Sequence, residues 1–213
     1  MSISRLRFFI RPLLPTVLVV TFACASGDGL PPGQRLATAD DFPVFSFAGT
    51  REIDTSEWSL HLYGLVDNDT TLSWDDVAML PYTERLLDFH CVTGWSRLGD
   101  LWGGIPCAVL AELAAPDSSV TAVMVHCADG YTTNLTLDDF TTDGVILALE
   151  FQGEPLTQDH GYPARLIVPH LYAYKSAKWV VAIEFLAEEQ PGYWEEIGYH
   201  HRGDPWQEER YAD

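Results

Sequence analysis

Lysine is almost missing from this chain. Only two of its 12 basic residues are lysines, Lys175 and Lys178, and they stand against 31 acidic residues for a formal net charge of −19. Binding to nucleic acid or to an anionic membrane rests on neutralising phosphates, so a surface of this kind excludes both, and no nucleic-acid partner is expected. Cysteine is scarce as well. Cys24, Cys91, Cys107 and Cys127 form no CxxC, and no histidine stands at the spacing of a zinc knuckle or a c-type haem attachment site. The apolar run Pro12–Ala25 is short for a bilayer span, and no internal repeat or low-complexity segment occurs.

What remains describes one domain. At 213 residues, 47% hydrophobic, with seven Trp and nine Tyr, the chain can close a sizeable core. Residues 1–29 differ from the rest: Arg5, Arg7 and Arg11 precede the apolar run, and Ala23-Cys24-Ala25 offers a small-residue cleavage site. That is the layout of a secretory signal and favours an exported, periplasmic or cell-surface protein. The alternatives are lipoprotein processing at Cys24, disfavoured by bulky Phe22, or an upstream start codon and a cytoplasmic protein. Arg5-Leu6-Arg7 is not a twin arginine. The folded domain is expected over residues 30–213, beginning near Pro31-Pro32-Gly33.

Trp58–Val66 alternates apolar and polar residues as a half-buried strand does, and Ser73 reads as the cap of a short helix stopped before Pro81. Arg85–Phe89 looks extended and delivers His90-Cys91 to a loop. Pro106 suits the first turn of a helix to about Ala115. Strands follow at Val120–Cys127, Gly144–Phe151, Ala164–Val168 and Lys178–Leu186, the last apolar on both faces and therefore central. Strands and short helices interleave without a βαβ period, which predicts an α+β fold with a mixed sheet core. The aromatic tail Pro191–Asp213 is expected to pack over the body as irregular structure, perhaps as one wall of the site.

Two segments carry the chemistry. His90-Cys91-Val92-Thr93-Gly94-Trp95-Ser96 sets one soft ligand in polar and aromatic company, an unusual setting for a filler thiol. His160-Gly161-Tyr162-Pro163-Ala164-Arg165, with Lys175-Ser176-Ala177-Lys178-Trp179, gathers cations in a chain that has few. Solubility would scatter the two lysines, so their closeness points to an anion site, against the plainer reading of a lysine pair ending a loop. Arg165 opens an apolar strand, where an arginine needs an anionic partner. A thiolate and a distant anion cradle suggest a metal carried on a phosphorylated cofactor. Cys107 and Cys127 read as core thiols, with a disulfide between them left open. His200 and His201, being adjacent, point to different sides and do not bind one metal together.

Taken in order, Cys-Val-Thr-Gly-Trp-Ser, Gly-Tyr-Thr-Thr-Asn, His-Gly-Tyr-Pro-Ala-Arg-Leu-Ile-Val-Pro and Lys-Ser-Ala-Lys-Trp resemble the molybdopterin-binding domain of the sulfite oxidase family over about residues 31–211. The likeness is to its small stand-alone prokaryotic members and to the catalytic subunit of periplasmic methionine-sulfoxide reductase. The resemblance implies a sulfite-oxidase-type fold, a molybdenum-molybdopterin cofactor and oxygen-atom transfer to or from a small-molecule substrate. It further implies Cys91 as the molybdenum ligand and Tyr131 as the active-site tyrosine. His160, Arg165, Lys175, Ser176 and Lys178 match cofactor and phosphate contacts, as, more loosely, do His126, Phe45 and Ser46. Sulfite oxidases proper carry an arginine five residues after the cysteine. Here that residue is Ser96, with Arg97 one later, and the appended dimerisation and haem domains have no counterpart, which puts sulfite in doubt as the substrate. With no haem motif, electrons are expected to pass through a separate cytochrome or membrane haem subunit. A non-catalytic cofactor carrier, and a cofactor-free thiol enzyme using Cys91 with His90 or His126, are the rival readings.

Overall fold

The computed structural model describes residues 29–37, 42–46 and 48–212. Apart from Gly29, the leader-like residues 1–29, Cys24 included, lie outside the described residues, as does Asp213. Two sheets form the body. The first contains β1 (Arg35–Leu36), β4 (Thr83–Cys91), β5 (Trp95–Pro106), β8 (Ile146–Phe151), β9 (Glu154–Pro155) and β10 (Arg165–Ile167). The second runs in the order β3 (Thr70–Ser73), β2 (Ser59–Gly64), β11 (Val180–Leu186), β6 (Ala122–Cys127) and β7 (Thr132–Thr136). Short helices α1 (Trp74–Ala78), α2 (Cys107–Ala114), α3 (Leu137–Thr141) and α4 (Tyr193–Glu196) fill the connections.

The α+β expectation holds, and β11 is central, parallel to β2 on one side and antiparallel to β6 on the other. Period-2 alternation then assigns the cores. Along β8, Leu147 and Leu149 face the core between the sheets, with Leu60, Leu62 and Ile183 opposite them. Ile146 and Ala148 face an aromatic cluster with Phe89, Trp95 and Trp102. β8, in the middle of the first sheet, is therefore buried on both faces. Ser73 caps α1 with a full capping box, its hydroxyl accepting from Asp76 N–H while Asp76 returns to the Ser73 N–H.

One expectation needs correction, and one helix went unread. His90 and Cys91 are the last residues of β4 rather than part of a loop, and Trp95, Ser96 and Arg97 already belong to β5, a strand of 12 residues. Gly103 and Gly104 hide it from a propensity reading, yet both are required by close approach: a Cβ at Gly104 would sit 2.1 Å from the Leu147 carbonyl oxygen. Helix α3 was also invisible; Thr136 caps it, with its Oγ1 3.0 Å from the Asp139 nitrogen. Cys107 and Cys127 are buried free thiols, as the core reading expected, and the disulfide left open between them is not formed.

The tail packs back over the body as expected, although it contains α4. Arg202 binds Asp139 at 3.0 Å, Tyr174 Oη donates to the His200 carbonyl at 2.7 Å, and Lys175 Nζ meets Glu195 at 2.5 Å. Among the described residues, no helix is long and apolar enough to cross a membrane.

Candidate cofactor site

β4 ends at Cys91 and β5 starts at Trp95, so residues 91–94 form a tight turn. Gly94, at φ 96°, closes it by donating its N–H to the Cys91 carbonyl at 3.0 Å. The Cys91 thiol is half-buried, with Sγ 3.1 Å from Thr93 Oγ1, and it looks into a cavity of about 520 Å³. That size suits a cofactor. Phe45 and Ser46 line it on one side, Trp194 and Tyr199 of the tail on another, and Trp179 with the cation cluster at the far end.

Gly161 brings those cations together. It adopts φ 107°, and a Cβ there would lie 3.0 Å from Arg165 Cβ and 3.1 Å from Lys178 Cβ. Arg165 is 3% exposed; Nη1 and Nη2 donate to the backbone carbonyls of His160 and Ser176, at 3.1 and 3.0 Å. Its Nε is buried and has no partner. Lys178 Nζ reaches only the Asp159 carbonyl, at 2.8 Å, and lies 4.3 Å from the Trp179 ring centre. His160 stacks on Phe42 with centroids 4.5 Å apart.

The electrostatics of this cluster favour an anionic ligand. Burial pulls Arg165 down to about 9, still charged at neutral pH. Lys178 falls to about 8 through burial and then the Arg165 charge. His160 is lowered by burial and by both cations. Cations that weaken one another, with an orphaned guanidinium N–H among them, fit a phosphate-bearing group. The Cys91 thiol across the cavity fits a soft metal. Among the described residues no group of three His, Cys, Asp or Glu side chains could hold a metal alone. A metal here therefore arrives on a cofactor.

The sequence profile described as "Oxidoreductase molybdopterin binding domain" matches residues 47–194. The chain belongs to this family. It is 46% identical over 184 residues to the uncharacterized oxidoreductase YuiH of Bacillus subtilis (strain 168), covering 86% of this chain and 92% of that protein. It is 31% identical to the putative protein-methionine-sulfoxide reductase subunit YedZ1 of Azospira oryzae, covering 74% of this chain and 61% of that one. Against the protein-methionine-sulfoxide reductase catalytic subunit MsrP of Campylobacter jejuni the identity is 28%, with 68% and 54% covered. The chain thus spans little more than half of these last two relatives. The sulfane dehydrogenase SoxCD from Paracoccus pantotrophus superposes with a TM-score of 0.61 at 22% identity, over 66% of this chain and 41% of that one, and shares the fold. The protein is a molybdopterin-dependent oxidoreductase that uses the molybdenum-molybdopterin cofactor.

Within the molybdopterin-binding fold, the cavity gathers Phe45, Ser46, Cys91, Tyr131, His160, Arg165, Ser176 and Lys178. Two expected contacts lie elsewhere. Lys175 is fully buried behind the cavity wall, its ammonium bound to Asn134, Glu195 and the His201 carbonyl. Of the two clustered lysines, Lys178 lines the cavity and Lys175 closes a structural pair with Glu195. His126 sits on the outer face of the second sheet, 3.0 Å from Glu184 and 3.3 Å from Tyr63 Oη. His90 is buried, with Nδ1 2.8 Å from Ser96 Oγ. Neither histidine is placed to act as a base for Cys91.

Tyr131 lines the cavity; its hydroxyl donates to the Tyr174 carbonyl, and burial pushes its pKa well above the usual phenol range. Tyr199, half-buried, lines the cavity as well. Burial raises its pKa first, then Tyr211 and the nearby Cys91 raise it further. Sequence reasoning named Tyr199 only as part of an aromatic tail, because α4 and its buried anchor, which aim it inward, have no local signature.

Lys178 gives a direct test of the cradle in cofactor-free protein. Below about pH 8 it carries a charge that burial disfavours, and a bound anion compensates that charge. Sulfate, which does not titrate in this range, is expected to raise the melting temperature more at pH 7 than at pH 9.5. The difference should shrink in Lys178→Met to the part that Arg165, lowered to about 9, still contributes. Equal sulfate shifts at both pH values in the wild type would remove Lys178 from the anion site.

Proposed function

We propose that the protein transfers an oxygen atom from a neutral S-oxide or N-oxide, and does not act on sulfite. The observation carrying this reading is the fate of Arg97. It is buried, and its Nε and Nη2 bind both oxygens of Asp100 at 2.6 and 2.9 Å. It therefore stands outside the cavity lining and cannot hold an anionic substrate. The mouth is apolar instead, with Val44 and Phe45 exposed at 49% and 68%, and the net charge of −19 repels sulfite. The relatives named as protein-methionine-sulfoxide reductases agree in direction.

The bound cofactor supplies two-electron oxygen-atom chemistry. Cys91 would hold its metal; Arg165, Lys178 and His160 would hold its phosphate. Phe45 and Trp194, whose ring centres lie 6.0 Å apart, shield the substrate from water. Reducing an S-oxide consumes two electrons and two protons and releases water. Tyr199, which lines the cavity, would supply the hydroxyl that donates a proton as the oxygen leaves. Tyr131, tied to Tyr174, buttresses the wall. Electrons come from a separate redox protein, a role consistent with the word "subunit" in the names of YedZ1 and MsrP.

Steady-state assays on molybdenum-loaded protein test the reading, with reduced viologen as donor for S-oxides and ferricyanide as acceptor for sulfite. A higher kcat/KM for sulfite than for dimethyl or methionine sulfoxide would overturn it. Tyr199→Phe is expected to lower kcat about a hundredfold with little change in KM, the scale of a lost general acid. Tyr131→Phe should leave kcat near wild type and cost about 1 kcal/mol of stability, as one hydrogen bond does.

A further inference from the structure

The turn that presents Cys91 is held from both ends of the described chain. On the N-terminal side, Gln34 Nε2 donates to the Cys91 carbonyl at 3.1 Å, and Arg35 N–H donates to the Gly94 carbonyl at 3.0 Å. On the C-terminal side, Arg210 Nη1 donates to the Val92 carbonyl and Nη2 to the Pro32 carbonyl at 3.4 Å. The guanidinium lies 5.1 Å from the Tyr172 ring centre, and Tyr172 bridges to His90 in β4. Space around it is tight, since a Cβ on Gly33 would fall 3.0 Å from Arg210 Nη2. The same residue belongs to a small ribbon with the cavity tyrosine. Its carbonyl accepts from the His200 N–H at 3.3 Å, Tyr211 bridges to Tyr199, and Ala212 N–H donates to the Gly198 carbonyl at 3.0 Å.

We propose that Arg210 is the positioning residue for the metal-binding cysteine: its guanidinium fixes the Val92 carbonyl and couples the Cys91 turn to the segment carrying Tyr199. The proposal rests on the molybdenum reading of Cys91. A rigid fork with several donors can hold carbonyls on two segments at once, which a lysine ammonium on a flexible stem does less well. Metal sites depend on such outer contacts, whose loss costs about 10–100-fold in affinity or activity.

Arg210→Ala and Arg210→Lys test this in two states of the whole chain. In cofactor-free protein, hydrogen exchange at the Gly94 amide, which closes the turn, is expected to quicken about tenfold in Arg210→Ala, the scale of one lost charge-assisted hydrogen bond, and less in Arg210→Lys. In molybdenum-loaded protein, the Mo(V) EPR g-values should shift in Arg210→Ala and return part-way in Arg210→Lys, with kcat falling more than KM rises. A residue that merely fastened the tail would lower the melting temperature without moving the EPR signal. Wild-type exchange at Gly94 and a wild-type EPR signal in Arg210→Ala would overturn the proposal. Wild-type protein that binds no molybdenum would overturn the underlying reading instead, leaving the clamp to be judged by the exchange rates.

Discussion

Cys91→Ser is expected to lose molybdenum-dependent turnover by more than about a hundredfold while the chain stays folded. Outer contacts of a metal alone cost about 10–100-fold, and a thiolate ligand should cost at least as much. The fold should survive because Cys91 is half-buried and its side chain has one polar neighbour, Thr93. Cys107 and Cys127 provide the internal contrast. Both are buried, and burial drives their thiols well above the normal range, so neither offers a thiolate at neutral pH. Serine at either position should destabilise the core and leave the metal-to-protein ratio unchanged. Metal analysis, circular dichroism and kinetics on the three variants separate a ligand from a core thiol. Full activity in Cys91→Ser would sink the assignment.

What the sequence revealed depended on how local each signal was. The run apolar on both faces at Lys178–Leu186, the Ser73 cap and the Cys91 and His160–Arg165 motifs each lie within a few residues, and all were legible. β5 was not, because glycines demanded by contacts with Leu147 and Tyr82, far along the chain, erase its strand signature. The two lysines show the same limit. Three residues apart, they look like one anion site, but they sit on opposite sides of a wall. The 3-10 turn Ala173–Lys175 directs Lys175 to Asn134 and Glu195, while Lys178, just before β11, faces the cavity. Only the position of α4, 20 residues further on in sequence, reveals which lysine already has a carboxylate. Tyr131 and Tyr199 show the same limit: both line the cavity, but Tyr131 sits in a motif while Tyr199 reaches it only through tertiary packing of the tail.

Lys175→Met should be the most destabilising single substitution at the tail, by about 3–5 kcal/mol, the cost of stranding one partner of a buried ion pair. Both side chains of the pair are 0% exposed, with Nζ and Oε1 2.5 Å apart. Nζ also donates to the Asn134 carbonyl and Oδ1, at 2.9 and 2.8 Å. Burial lowers the Lys175 pKa, and Glu195 opposes that shift, so the pair stands only while both charges are present. Glu195 Oε2 already lacks a partner, and removing the ammonium would leave the whole carboxylate uncompensated. Against a typical domain stability of about 5–15 kcal/mol this is a large fraction. Lys175→Met/Glu195→Gln should recover much of the loss, because a neutral amide tolerates the site better than a stranded charge. Since α4 carries Trp194 and leads to Tyr199, the single variant should also become sensitive to proteolysis between residues 187 and 212 before it unfolds globally. Denaturant unfolding of wild type, single and double variants decides the matter. A single variant within about 1 kcal/mol of wild type would show that the pair does not anchor the tail, the range in which an exposed ion pair falls.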